Sequence, residues 1–362
     1  MKKNILIIDD SALMRRVLSD IVNSDERFKS TEFASNGLEA LELLKRKAEE
    51  FDAILLDINM PKMNGLELLE ELRKFKIKAT VIIVSTIAKE DAKETIRALE
   101  LGAFDFVTKP KSYYEVSSNQ FSNRLLSCLA QATKSEQREI SESIRNILEI
   151  VRQTKEMVQK KKPIPKKQSS NKLVAIASST GGPKALHSII PKLPENLDAP
   201  ILIVQHMPIG FTKSLADRLN ELSPLEVKEA EDNDILKKGT VYIAKGGHQM
   251  RLMEQEDGSY RLSVTKEPAR RGLLPCADIL YESLVDTDFS QIICVVLTGM
   301  GGDGTAGISQ LNKSKNIYVI AQDEATSIVY GMPKVVKDAG LVDEVLALDN
   351  IFDAIIRNVG VY

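Results

Sequence analysis

The sequence predicts a two-domain α/β protein with largely parallel sheets, and three observations carry that expectation. Through the first 110 residues short apolar runs alternate with helix-patterned stretches, and the same rhythm returns after residue 172. At 362 residues the chain is too long for one domain of ordinary size and suits two. Between the halves lies Lys160-Lys161-Lys162-Pro163-Ile164-Pro165-Lys166-Lys167, where two prolines among like charges cannot continue a helix.

In the first half, strands are expected at 4–8, 29–33, 53–56, 80–84 and 104–107, making a five-stranded parallel sheet. Helices are expected near 12–21, 37–47, 65–75 and 88–99. The loops after the carboxyl ends of such strands form a binding crevice. Asp9 and Asp10 follow the first strand and Asp57 follows the third. Three crowded carboxylates repel one another unless a hard cation joins them, and Mg²⁺ favours such an oxygen-rich set. Ser85 ends the fourth strand, and Lys109 follows the fifth, with Lys109-Pro110 a candidate cis peptide. Any one loop acid is ordinarily a solvated surface residue. The whole set, placed after successive strands, describes a centre where Asp57 accepts a phosphoryl group while Mg²⁺ and Lys109 neutralise its oxygens.

This pattern resembles the receiver domains of two-component response regulators over residues 1–120. The resemblance implies Asp57 as phosphoacceptor, with Asp9, Asp10 and Asp57 around Mg²⁺. It also implies Ser85 as the hydroxyl that repositions on phosphorylation and Phe106 as the aromatic that moves with it. Many receivers carry Tyr where Phe106 stands, so no phenolic hydroxyl is available here.

Residues 121–171 read as a helical connector and a flexible basic linker. Ile140, Ile144, Ile147, Val151, Thr154 and Val158 fall on one helical face, expected to pack against one of the chain's own domains.

Residues 172–362 read as a doubly wound α/β domain with a mainly parallel sheet. A buried strand at 173–177 runs into Ser178-Ser179-Thr180-Gly181-Gly182-Pro183-Lys184, and Pro183 suits the first turn of the helix that follows. A helix N-terminus beneath a serine stabilises an anion, either a phosphate or a developing oxyanion. Neither the G-x-x-x-x-G-K-[ST] loop nor the G-x-S-x-G elbow is present. The three histidines are 187, 206 and 248. His187 falls within the helix after the serine loop, and His248 sits in a turn. His206 follows the apolar run 201–204 and faces the same strand-end crevice as Ser179. Asp303 lies in Thr298-Gly299-Met300-Gly301-Gly302-Asp303-Gly304 after the run 292–297, placed to accept the Nδ1–H of His206 and turn its other nitrogen toward Ser179. The rival reading is a dinucleotide fingerprint at Gly299, Gly301 and Gly304 with Asp323 on a ribose. It sets a fixed charge beside a pyrophosphate and leaves Ser179 and His206 without a task.

Composition narrows the partners. Lys plus Arg number 49 and Asp plus Glu 51, and this balance gives no reason to expect nucleic acid. Three scattered cysteines form no zinc or disulfide pattern, which suits a reducing cytoplasm. No apolar run is long enough to insert in a bilayer.

Ser179-Thr180-Gly181-Gly182-Pro183, Gln205-His206-Met207-Pro208, Thr298 to Gly304, Ala321-Gln322-Asp323-Glu324 and Gly331-Met332-Pro333 resemble the catalytic domain of chemotaxis protein-glutamate methylesterases. The receiver–linker–catalytic order resembles that whole family. The resemblance implies an α/β hydrolase-type domain with Ser179 as nucleophile, His206 as base and Asp303 as its orienting partner. Amides near Thr180, Gly181 and Gly182, or at Met300 and Gly301, would hold the oxyanion. It further implies methyl-accepting chemotaxis receptors as substrate, possession of a glutaminase side activity in some members, and a chemotaxis histidine kinase as phosphodonor. Two departures stand out: Ala177-Ser178 where relatives have Gly-Ala, and Leu273-Leu274-Pro275-Cys276 where they have His-Arg-Pro-Ser. Lys184, Arg270 and Arg271 are candidate cations of a substrate groove. The alternative class is a receiver fused to a non-catalytic docking module, which needs no serine, histidine and aspartate on three strand ends.

Overall fold

In the computed structural model, which describes residues 2–86, 88–110, 120–135, 149 and 171–361, the chain forms two units, Met1–Arg138 and Glu139–Tyr362. The first is built on β1 (Lys3–Ile8), β2 (Phe28–Ala34), β3 (Ala53–Leu56), β4 (Val81–Ser85) and β5 (Asp105–Thr108). All pairs are parallel, in the order β2-β1-β3-β4-β5. β3 and β4 are buried throughout, as their nearly unbroken Ile, Leu and Val runs require of strands covered on both faces. The crossovers are α1 (Ala12–Ser24), α2 (Gly37–Lys47), α3 (Gly65–Lys74) and α4 (Lys89–Glu100). Ser11 caps α1 by accepting the Met14 N–H, while Asn64 and Glu67 close a capping box on α3. The first cap directly follows Asp9 and Asp10 and fixes where those acids stand.

Residues 121–132, expected in the connector, complete this unit's core instead. α5 (Gln120–Ala132) buries Phe121, Leu125, Cys128 and Leu129 in the cluster that holds Ile5 and Ile7. Leu125→Ala is expected to destabilise the unit by about 2–5 kcal/mol, read as a lower urea midpoint by circular dichroism. The face through Ile140, Ile144, Ile147, Val151, Thr154 and Val158, and the basic linker, lie outside the described residues. Leu274–Pro275 is the cis peptide found among the described residues; Lys109–Pro110 is trans, the isomer that X-Pro bonds ordinarily prefer. No described helix is long and apolar enough to cross a membrane.

The second unit carries a seven-stranded parallel sheet in the order β14-β13-β12-β6-β7-β9-β8. Its strands are β6 (Lys172–Ser178), β7 (Ile201–Gln205), β8 (Glu226–Glu229), β9 (Thr240–Ile243), β12 (Gln291–Val296), β13 (Ile317–Gln322) and β14 (Glu344–Leu346). A separate antiparallel hairpin joins β10 (Gln249–Glu254) to β11 (Tyr260–Thr265). The helices are α6 (Gly182–Ile189), α7 (Phe211–Leu222), α8 (Ala277–Ser283), α9 (Thr305–Ser314), α10 (Met332–Asp338) and α11 (Leu348–Val359). From β6 the chain builds outward through β7, then returns to lay β12, β13 and β14 on the other side. The order therefore reverses at β6, and the ends of β7, β6 and β12 stand side by side at a switch point, where open α/β sheets bind ligands.

Candidate functional site

In the first unit the strand-end acids converge. Lys109 Nζ lies 2.8 Å from Asp57 Oδ2 and 2.9 Å from Asp9 Oδ2. Asp9 and Asp57 are buried, Asp10 is exposed, and each has a carboxylate oxygen within 4.8 Å of the others. Burial pushes the Asp57 carboxyl up to about 6, against the pull of the Lys109 ammonium. Burial also opposes the charge on Lys109, yet Asp57 and Asp9 together hold it above its ordinary value. Such a set of close carboxylate oxygens with a surplus of negative charge fits Mg²⁺, whose ligands are hard oxygens. Ser85 Oγ, at the end of β4, accepts from Thr95 Oγ1 on α4 (2.9 Å), and Phe106 is buried in β5.

In the second unit Ser179 follows β6, half-buried, between the loops after β7 and β12. Its N–H donates to Thr298 O (3.1 Å), and its carbonyl accepts from Gly182 N–H (2.8 Å) and Gln205 Nε2 (2.9 Å). The next loop is tied by His206 N–H to Ser178 O (3.1 Å). His206 Nε2 meets Asp303 Oδ2 at 2.8 Å. The expected contact through Nδ1 is therefore corrected. Asp303 lies in the loop after β12, two strands from β7 in the sheet, and Nε2, the ring nitrogen farther from the backbone, is the one that spans the gap to it. With Nε2 engaged by Asp303, Nδ1 is the ring nitrogen left without such a contact among the described residues. No hydrogen bond joins Ser179 Oγ to His206 among the described residues, and catalytic contacts of this type often tighten only when substrate binds.

Asp303 is anchored by the start of α8, whose Ala277 N–H donates to Oδ2 (2.6 Å) and Asp278 N–H to Oδ1 (3.2 Å). The Cys276 thiol donates to Oδ1 (3.1 Å). Burial opposes the charge most strongly, but the donors from His206, Ala277 and Cys276 prevail and hold the carboxyl well below the usual carboxylate range. Beside it, burial and the Asp303 charge push fully buried Asp278 up to about 6.

Gly182 is not a free oxyanion donor, because its N–H closes the turn onto Ser179 O. What position 182 requires is the absence of a side chain, since a Cβ there stands 1.9 Å from Gln205 Oε1. Gly299 likewise allows the β12 loop against Ser179, whose Cβ a side chain at 299 would meet at 2.7 Å. Thr180 is buried, Gly181 has φ 79°, Gly301 has φ 86°, and Met300 is exposed on the rim. Asp323 closes a local turn on Thr326 N–H (2.9 Å), which gives the ribose reading no support. His187 Nδ1 lies 2.7 Å from Pro183 O, and His248 Nδ1 lies 3.1 Å from Gly246 O. Arg270 pairs with Glu282 (2.7 Å) and Arg271 with Asp278, so both arginines are engaged within the fold. Gln205 was not anticipated as functional. It accepts from Ser178 Oγ (2.7 Å) and ties the serine and histidine loops together.

An imidazole held by a buried carboxylate beside a serine loop defines an α/β domain of serine-hydrolase type, behind a unit with the acid–lysine centre of a phospho-aspartate receiver. Residues 174–355 match the CheB methylesterase family, and residues 5–118 match the response regulator receiver domain. The protein-glutamate methylesterase/protein-glutamine glutaminase of Pyrococcus abyssi is 40% identical over 99% of this chain and 94% of its own. That of Halalkalibacterium halodurans is 40% identical over 98% of this chain and 97% of its own. The crystal structure of the Thermotoga maritima CheB methylesterase catalytic domain is 43% identical, with a TM-score of 0.50, and covers 53% of this chain and 100% of that one. The chain belongs to the CheB methylesterase family, with a receiver domain ahead of the catalytic domain, and is a hydrolase of chemotaxis signalling. Membership carries regulation through the receiver, with the aspartyl phosphorylation and Mg²⁺ typical of such domains, and interaction with chemoreceptors and histidine kinases.

Gly182→Ala is expected to cost about 1–3 kcal/mol of stability, because Gln205 must leave its place. Esterase activity should fall with it, and thermal melting and ester hydrolysis together check this.

Proposed function

We propose that the second domain hydrolyses γ-glutamyl methyl esters on receptor helices, giving glutamate and methanol. The observation that carries this is the 2.8 Å contact between His206 and buried Asp303 beside the Ser179 loop. Ser179 Oγ attacks the ester carbonyl and His206 takes its proton at Nδ1 while Asp303 holds Nε2–H. His206 then gives the proton to the departing methoxide, leaving an acyl-enzyme. Water attacks that ester with His206 again as base, and glutamate leaves as Ser179 recovers its proton. The amides of Thr180 and Gly181, or of Met300 and Gly301, are the proposed oxyanion donors. The same steps release ammonia from a receptor glutamine, an activity that the relatives' names include.

For control, Asp57 is the proposed phosphoacceptor and a chemotaxis histidine kinase the donor. Asp9, Asp10 and Asp57 would hold Mg²⁺, which when bound neutralises phosphoryl oxygens. Lys109 gives the phosphoryl group a second cation, and Ser85 gives it a hydroxyl. The unphosphorylated receiver restrains the esterase. Methanol release from methylated receptor, with ammonia release from its glutamine form, tests the chemistry. A chain that binds receptor but releases neither product would return the domain to the docking class.

A further inference from the structure

Asp303 accepts more hydrogen bonds than are needed to orient one imidazole. Oδ2 serves His206 and the Ala277 N–H, while Oδ1 serves the Asp278 N–H and the Cys276 thiol. Cys276 is 1% exposed, and its backbone N–H is fixed to Gln249 Oε1 at 2.8 Å, so the sulfur is held in place. Burial first, then neighbouring Asp303 and Asp278, keep the thiol protonated by pushing it far above its ordinary value. The group at this position is therefore an S–H donor and not a thiolate.

The surrounding charges are accounted for. Asp278 accepts the Gly307 N–H of α9 (2.8 Å) and pairs with Arg271; Arg270 pairs with Glu282. From β10, Arg251 pairs with Glu267, and the Tyr281 hydroxyl of α8 donates to Ala175 O (3.2 Å).

We infer that Cys276 is a positioning residue for the esterase: its thiol draws on the charge of Asp303 and so sets how firmly that carboxylate holds His206. The inference rests on the serine–histidine–aspartate reading and deepens it. A thiol is a weaker donor than a hydroxyl and a stronger one than none. Alanine at 276 leaves Asp303 presenting more negative charge to the imidazole, and serine leaves it presenting less.

The test uses full-length protein with Cys276→Ala and Cys276→Ser. Ring titration of His206 is followed by NMR, where only three histidines need assignment, beside the acid limb of kcat/KM. Both midpoints should rise with alanine and fall with serine, each by about half a pH unit, while KM stays near that of the parent. Coincident titrations, or shifts of one sign in both variants, overturn the inference. If the alanine variant fails to fold, the serine variant, a one-atom change, still decides by the direction of its shift. If the parent protein hydrolyses no ester, the functional reading fails while the ring titration still judges Cys276.

Discussion

Methanol release from methylated receptor is expected to drop on the order of a million-fold in Ser179→Ala, the scale set by removing the nucleophile of a serine triad. The rest of the molecule should not register the change. The Ser179 backbone is fixed by Thr298 O, Gly182 N–H and Gln205 Nε2, none of which involves the hydroxyl. Melting temperature and receptor affinity should therefore stay near those of the parent, and the loss should appear in kcat. Ser178→Ala is the matching control. That hydroxyl is fully buried and donates to Gln205 Oε1 at 2.7 Å, so its removal should lower stability and leave most of the rate. A Ser179→Ala protein with parental activity, or a Ser178→Ala protein that is folded yet inert, would move the nucleophile or remove it.

The placement of Ser179, His206 and Asp303 on strand-end loops was legible in the sequence, because Ser179 and His206 come within two residues of a buried apolar run and Asp303 lies in the glycine-rich loop after another, and a parallel sheet aligns the carboxyl ends of such runs. Which nitrogen of His206 meets Asp303 was not legible, since it depends on strand order, with β6 lying between β7 and β12. The anchoring of Asp303 was hidden for a related reason. Cys276 and Ala277 approach from 26 to 27 residues away in the chain, through a helix start that carries no motif for carboxylate binding. Within the departure Leu273-Leu274-Pro275-Cys276, it is Cys276 that reaches Asp303, followed by the amides of Ala277 and Asp278. That the helix α5 belongs to the first unit's core, and not to the connector, was missed although a signal existed. Phe121, Leu125, Cys128 and Leu129 follow the i, i+4, i+7, i+8 spacing of a core-facing stripe, diluted by the polar residues between them.

The second large effect concerns the receiver. Phosphorylating Asp57 adds charge and acceptor oxygens at a centre where Lys109 already bridges Asp57 and Asp9, at 2.8 and 2.9 Å. Lys109 and Ser85 stand at the ends of β5 and β4, so new contacts to them pull on both strands and should repack Phe106 of β5. The proposed restraint of the esterase by the receiver would be a two-state equilibrium, which phosphorylation can shift only by favouring one state. A tenfold rise in rate needs about 1.4 kcal/mol of such preference, less than one good charge-assisted hydrogen bond can supply. Asp57→Ala is therefore expected to remain at a low basal rate, and deletion of residues 1–135 to raise it about tenfold or more. Mg²⁺ with a small phosphodonor should activate the parent and neither variant. The deletion is practicable because the similar Thermotoga maritima catalytic domain was solved as a chain without a receiver. Esterase rates of the full chain and of a 172–362 fragment, each with and without phosphodonor, decide the matter. Equal rates in all four samples would leave the Ser179 chemistry intact and refute inhibition by the receiver.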